Sequence, residues 1–347
     1  MKQIKKGRSD MNVFNNTPKK KISQPILAVC GPDPLKVLAS TKTIVENARF
    51  AVIDVSKIET VAGLIKKKLE SGLAEPETSF GITGSYEKDV QLIFLENAVN
   101  FSFWPDYGRP KWQVSVSGGW YSLVNCFVRA IKDGQPILDA SYLAHLTIPA
   151  GRQIFKGDDG GEIPMLKARV INLREAGRVL NQRYDGQFAN VLSEAEYDAV
   201  SIAKLLRRNL KSFRDSSVHK DSEVIFHKRA QICAFDLAAA VYKHCGKKLS
   251  RLDQLTAFAD YRLPQILRAE GLIVYSPSLE RTVDHSKLIA SGSLRELEIR
   301  SATVWAVELL RQELKIYSAG EIDNALWLLS QGREDMKPYH RTRTICY

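Results

Sequence analysis

Apolar residues recur at helical spacing through most of this chain. Runs at 34–48, 56–71, 86–99, 119–132, 165–183, 194–211, 224–244, 278–290, 294–316 and 319–331 repeat them at i, i+3 and i+4, the stripe a helix lays against a core. Short strands fit better in two places. Gln113 and Ser115 alternate with Trp112, Val114 and Val116, and Leu272 to Tyr275 is a brief apolar run. The strand–helix alternation of a doubly wound sheet is missing, and no segment repeats at a fixed period. The pattern predicts a mainly α fold with small β elements.

The clearest break in the apolar pattern is Phe155-Lys156-Gly157-Asp158-Asp159-Gly160-Gly161-Glu162. It reads either as a surface loop within one unit spanning 23–347 or as the meeting point of two subdomains. At 347 residues the chain has material for a large core in both cases. No run has the length of an apolar membrane span, and no charged-then-apolar leader opens the sequence, so a soluble protein is expected, cytoplasmic or nuclear. Cys30, Cys126, Cys233, Cys245 and Cys346 are scattered without a CxxC or a His-rich neighbour. Neither a disulfide framework nor a metal site is expected from that spacing.

Net charge is +11, and much of it sits in one place. Residues 1–22 carry seven Lys and Arg against Asp10 alone, for +6, which leaves +5 for the rest. This polar, Asn-rich opening suits a disordered basic tail. A body so mildly basic can attract a phosphate monoester without requiring a polyanion, and no stable nucleic-acid complex is expected.

Two acids stand out. Asp236 lies in Gln231-Ile232-Cys233-Ala234-Phe235-Asp236-Leu237-Ala238-Ala239-Ala240-Val241, a helix apolar almost all round, where an uncompensated carboxylate costs several kcal/mol. Either Lys228 or Arg229 pairs with it through the fold, or it faces a cavity. Asp260 belongs to Phe258-Ala259-Asp260-Tyr261-Arg262-Leu263-Pro264-Gln265, which gathers an acid, a phenol, a base and an amide between apolar runs. Pro264 can open a helix that Gly271 ends, which sets Asp260, Tyr261 and Arg262 at an entrance favouring anions. There Asp260 either caps the helix and pairs with Arg262 or serves a ligand.

The same segment, continued by Gly271-Leu272-Ile273-Val274-Tyr275-Ser276, resembles the signature of the queuosine 5′-phosphate N-glycosylases of the queuosine salvage family. Asn100-Phe101-Ser102-Phe103-Trp104, the run from Gly161-Glu162-Ile163-Pro164 through Arg174-Glu175-Ala176-Gly177-Arg178, Ser212-Phe213-Arg214-Asp215, His227-Lys228-Arg229-Ala230-Gln231 and His340-Arg341-Thr342-Arg343 are similar to that family in the same order. Together they span roughly residues 25–347.

The resemblance implies hydrolysis of the N-glycosidic bond of queuosine 5′-monophosphate, without a cofactor, releasing queuine for reuse in tRNA. It also implies a helical core like that of base-excision DNA glycosylases, although no Leu-Pro-Gly-x-Gly loop is present. Cleavage builds positive charge on the ribose, and Asp260 and Asp236 are the acids expected to meet it. Asn100, Phe101, Phe103 and Trp104 are expected to hold the flat base, with Tyr261, Arg262 and Gln265 beside it. Gly118 and Gly119 before Trp120 either let the backbone approach a ligand or make a tight turn. Phosphate candidates are Lys228, Arg229, Lys204, Arg341 and Arg343. Glu298 with Arg300 and Glu321 with Asp323 are candidate supporting groups for the cationic amine of queuine. The rival readings are a glycosylase acting on modified bases in DNA or tRNA, and a non-catalytic RNA-binding protein.

Overall fold

The computed structural model describes residues 25, 27–72, 83–106, 108–115, 117–158 and 160–347; the basic segment 1–22 lies outside them. In chain order the elements are α1 (Val37–Glu46), β1 (Ala51–Ile53), α2 (Ile58–Glu70), α3 (Tyr86–Ala98), a hairpin of β2 (Gln113–Val114) and β3 (Ser117–Gly118), α4 (Trp120–Lys132), α5 (Ala140–Ala144), α6 (Ile148–Ile154), α7 (Leu166–Arg183), α8 (Phe188–Glu194) and α9 (Ala199–Asn209). A second hairpin of β4 (Ser216–His219) and β5 (Ser222–Ile225) follows, then α10 (Lys228–Cys245), α11 (Arg262–Ala269), β6 (Ile273–Tyr275), α12 (Pro277–Asp284), α13 (Leu294–Leu314) and α14 (Ala319–Leu329). The fold is mainly helical, as the spacing predicts.

Two helices are buried on nearly every side, and the rest are arranged round them. From Glu296 to Glu308, α13 is buried throughout and packs against α1, α2, β1, α11 and α14. Residues 89–98 of α3 are buried too, against α10, α8, α7 and α4. Several polar groups inside these helices are hydrogen-bonded: Trp305 Nε1 donates to Thr41 Oγ1 at 3.1 Å, and Gln91 Nε2 donates to the carbonyl of Leu138 at 2.6 Å. β1 and β6 pair antiparallel, Ala51 opposite Tyr275, so early and late chain share one small sheet.

Where the structure departs from the pattern, backbone geometry explains it. The strand expected at 112–116 is a hairpin, with Ser115 at φ 62° and Val114 opposite Ser117. The run 194–211 is broken at Glu196 and Tyr197, both at positive φ, and Asp198 restarts it by accepting the Ser201 N–H at 2.7 Å. The helix expected from 224 starts only at Lys228. Val224 and Ile225 close β5, and His227 at φ 52° turns the chain into α10. No helix is expected from periodicity over 140–154, yet α5 and α6 form there under caps from Asp139 and Thr147. Five and seven residues are too few for a stripe to register.

Candidate active site

α10 builds one wall of the site with a single stripe. Lys228, Ile232, Phe235, Asp236 and Ala239 recur at helical spacing and line a cavity of about 190 Å³, closed across from them by Phe258, Leu263, and Asp323, Asn324 and Trp327 of α14. A second cavity of about 240 Å³ adjoins it and is lined by Phe101, Phe103, Lys111, Tyr261, Arg262 and Tyr339, among others. Asn100, Trp120, Lys228, Asp260 and Trp327 line both, so they mark the junction. Glycines set two approaches here. Gly119 takes φ 63°, which turns Trp120 into the site, and a Cβ on Gly320 would lie 2.6 Å from the Phe235 ring, so only a glycine lets α14 come this close.

At the junction one lysine meets three acids. Lys228 is buried; burial lowers its pKa, and the charges of Asp260, Asp323 and Asp236 act against that. Asp260 Oδ1 accepts the N–H groups of Arg262 at 2.7 Å and Leu263 at 3.0 Å, which ties the carboxylate to the first turn of α11. The cap is therefore real. The guanidinium of Arg262, however, turns away to Gln265 Oε1 at 2.7 Å and the Ser330 carbonyl at 2.5 Å. Asp236 is half-buried, and Asn97 Nδ2 donates to its Oδ2 at 2.9 Å. Burial pushes this carboxyl up to about 7, against the pull of Asn97 and the Lys228 charge. Asp323 Oδ2 accepts the Phe258 N–H at 2.7 Å, yet burial, reinforced by Asp260 and Asp236, pushes its carboxyl well above the usual range.

The second cavity differs in charge: Lys111 and Arg262 line it, with Lys228 at its edge. Its aromatic floor is fixed from below by Arg169, which lies 4.3 Å under the Phe101 ring and 4.9 Å under Phe103 and donates to the carbonyls of Pro164, Val99, Phe101 and Ser102. Neither cavity holds a group of three His, Cys, Asp or Glu suited to a metal among the described residues. No helix among the described residues is long and apolar enough to cross a membrane.

Of the residues the sequence singles out, Asp260, Asp236, Asn100, Phe101, Phe103, Tyr261, Arg262 and Lys228 come together round these cavities. Asp323, Gly118 and Gly119 line them as well, and the remaining candidates line neither. Gln265 Nε2 donates to the Lys337 carbonyl at 2.7 Å and straps the C-terminal segment to α11. Arg229 is buried on the far side of α10, donating to the carbonyls of Asn97, Ala98 and Ser212. Lys204 lies with Arg207, Arg208 and Arg214 round a separate surface hollow. Arg343 pairs with Asp106 and lies 3.8 Å from the Trp104 ring, with Arg341 5.6 Å from the same ring, so these three pin the tail to the body. Glu298 Oε2 accepts the N–H groups of Arg49, Phe50 and Ala51, and Glu321 completes a capping box with Ser318.

Trp327, Asn324 and Lys111 line the site without having been singled out. Asp323, named only as a supporting candidate, stands in Ile322-Asp323-Asn324-Ala325-Leu326-Trp327, the same acid-in-apolar-helix signal that marks Asp236. Trp327 follows four residues later, on the same face.

Comparison with known proteins places the chain in a family. The model of the queuosine salvage protein family matches residues 82–347. A Sphaerobacter thermophilus protein named queuosine 5′-phosphate N-glycosylase/hydrolase is 36% identical over 329 residues, 91% of this chain and 98% of its own length. A mouse protein of the same name is 31% identical over 91% of this chain and its full length, and a Schizosaccharomyces pombe one is 30% identical over 85% and 91%. On a family match that runs across both cavities and relatives that align over nearly their whole length, the chain belongs to the queuosine salvage protein family.

Proposed function

We propose that this chain hydrolyses the N-glycosidic bond of queuosine 5′-monophosphate, yielding queuine and ribose 5-phosphate. The observation that carries this reading is the junction itself, where Asp260 and Lys228 stand between an acidic, apolar cavity and a basic one. A nucleotide has the same three parts in the same order. The flat, cationic base suits the cavity with Trp120, Trp327, Asp236 and Asp323; the phosphate suits the one with Lys111 and Arg262; the ribose then spans Asp260 and Lys228.

In that pose the C1′–N9 bond breaks with its electron pair leaving on the base, and positive charge grows on the ribose ring. The Asp260 carboxylate, held by two backbone N–H groups, is preorganised to stabilise that charge. A water adds its oxygen to C1′ and gives up a proton, while N9 gains one. Asp236, pushed up to about 7, can exchange protons at neutral pH and fits either transfer. Queuine is a 7-deazaguanine without the N7 that purine hydrolases protonate, so stabilising the sugar cation carries more of the work. We extend the inference to a kinship of the later helices with the helical core of base-excision DNA glycosylases, and to a free nucleotide rather than a polynucleotide as substrate.

The test is to incubate the protein with queuosine, its 5′-monophosphate and intact queuosine-bearing tRNA and to assay queuine and ribose 5-phosphate by mass. Queuine released chiefly from the monophosphate is the expected result. Release only from tRNA, or salt-sensitive tRNA binding with no release, would favour the glycosylase or RNA-binding readings instead.

A further inference from the structure

The two residues at the junction come from separate parts of the chain, Lys228 from the start of α10 and Asp260 from the segment before α11. One side chain links the backbones behind both, touching Ala259 directly and Lys228 through Asp215. Arg300 of α13, itself 2% exposed, donates from Nε to the carbonyl of Ala259 at 3.1 Å, one residue before Asp260. Its two remaining nitrogens grip Asp215 bidentately, Nη1 to Oδ1 at 2.8 Å and Nη2 to Oδ2 at 2.7 Å. Asp215 in turn takes three consecutive N–H groups: its carbonyl accepts those of Phe226 at 3.0 Å and His227 at 3.1 Å, and its Oδ2 accepts that of Lys228 at 2.9 Å.

We propose that Arg300 and Asp215 form a positioning pair that holds the Lys228 and Asp260 backbones in register for the hydrolysis proposed above, on which this inference rests. The connection is short and stiff. Arg300 reaches Asp260 through one peptide unit and Lys228 through one carboxylate, and its guanidinium is clamped between the rings of Phe226 and Tyr347, 3.9 and 4.3 Å from their centroids. The device also answers a local need. His227 enters α10 at φ 52°, a costly conformation for a non-glycine residue, and neither of its ring nitrogens has a partner among the described residues. Asp215 is what keeps the chain in that turn, and the turn decides that Lys228 faces the cavity while Arg229 faces the core.

A lysine at 300 keeps the charge but has no planar fork to reach Ala259 and both oxygens of Asp215 together. The test is steady-state kinetics on queuosine 5′-monophosphate for Arg300→Lys and Asp215→Asn, each also combined with Asp260→Asn, with thermal unfolding of every variant. The expected result is a kcat about 10–100-fold lower with KM within about threefold, because a misplacement of about 1 Å has that effect on the reacting groups rather than on binding. In the Asp260→Asn background the further loss should shrink to under about threefold, which a merely structural role would not produce. A folded variant with kcat within about threefold of wild type, an undiminished loss in the Asp260→Asn background, or failure of both variants to fold overturns the proposal. A wild-type protein that releases no queuine would sink the hydrolase reading itself, and this one with it.

Discussion

Two clusters of charge lie back to back at the start of α10, each setting aspartate against a base, and are handled in opposite ways. In the first, Asp215 and Arg300 close a bidentate pair: burial pushes Asp215 up, but the charge and hydrogen bonds of Arg300 outweigh it and hold the carboxyl below its usual range. In the second, Asp236, Asp260 and Asp323 surround Lys228 without a hydrogen-bonded ion pair between any of them and the lysine among the described residues, and burial displaces Asp236, Asp323 and Lys228 toward their neutral forms. A scaffold satisfies its charges internally. A site leaves them short of partners until a ligand arrives.

The contrast can be broken from either side, and the largest effect should come from the paired cluster. Asp215→Ala strands Arg300 in the interior and should destabilise the fold by about 3–5 kcal/mol, read by chemical denaturation. Asp260→Asn should leave denaturation nearly unchanged and lower kcat on queuosine 5′-monophosphate by about 100-fold or more. A large loss of stability there would make Asp260 a cap and nothing else.

Asp236→Asn sharpens the same point through pH. Below about pH 4 the folded and unfolded chains both hold the proton; as pH rises to about 7 the unfolded chain ionises first, so wild type loses stability across that window. The variant should therefore be more stable than wild type at pH 8, by roughly 1–2 kcal/mol after allowing for solvent in the cavity, as read by chemical denaturation, and the gap should close by pH 4. Its pH–rate profile should also lose the limb near pH 7. An unchanged limb would take Asp236 out of the proton transfer.

Charges outside the paired cluster should divide as well. Lys111→Ala should lower kcat/KM for the monophosphate about tenfold and leave the unphosphorylated nucleoside unaffected, as expected for one lost charge-assisted contact. Arg343→Ala, which loses an exposed pair with Asp106 and a contact with Trp104, should lower stability by at most about 1 kcal/mol without changing that selectivity. Reversal of the two outcomes would move the phosphate to the tail.

Much of this was legible before any coordinates, for reasons the residues make plain. Asp236 declared itself by standing in an apolar helix, and Asp260 by the company it keeps at a helix entrance. What sequence could not give was direction. Lys228 and Arg229 are neighbours, yet about 100° of helical rotation sends one to the cavity and the other to the core, and only the left-handed turn at His227 fixes which. Phe103 and Trp104 divide in the same way, one facing the second cavity and the other the tail. Asp323 and Trp327 lie more than 60 residues beyond Asp260 and join it only because α14 packs against α11. The pairing of Asp215 with Arg300 spans 85 residues and leaves no local trace at all.

The account depends most on the junction of the two cavities, and a crystal structure of the Asp260→Asn variant with queuosine 5′-monophosphate tests it directly. The expected density shows the intact nucleotide with its base between Trp120 and Trp327, its phosphate toward Lys111 and Arg262, and C1′ within about 3–3.5 Å of the residue at 260 or of a water held beside it. A nucleotide bound elsewhere, or bound here with C1′ turned away from residue 260, would contradict it.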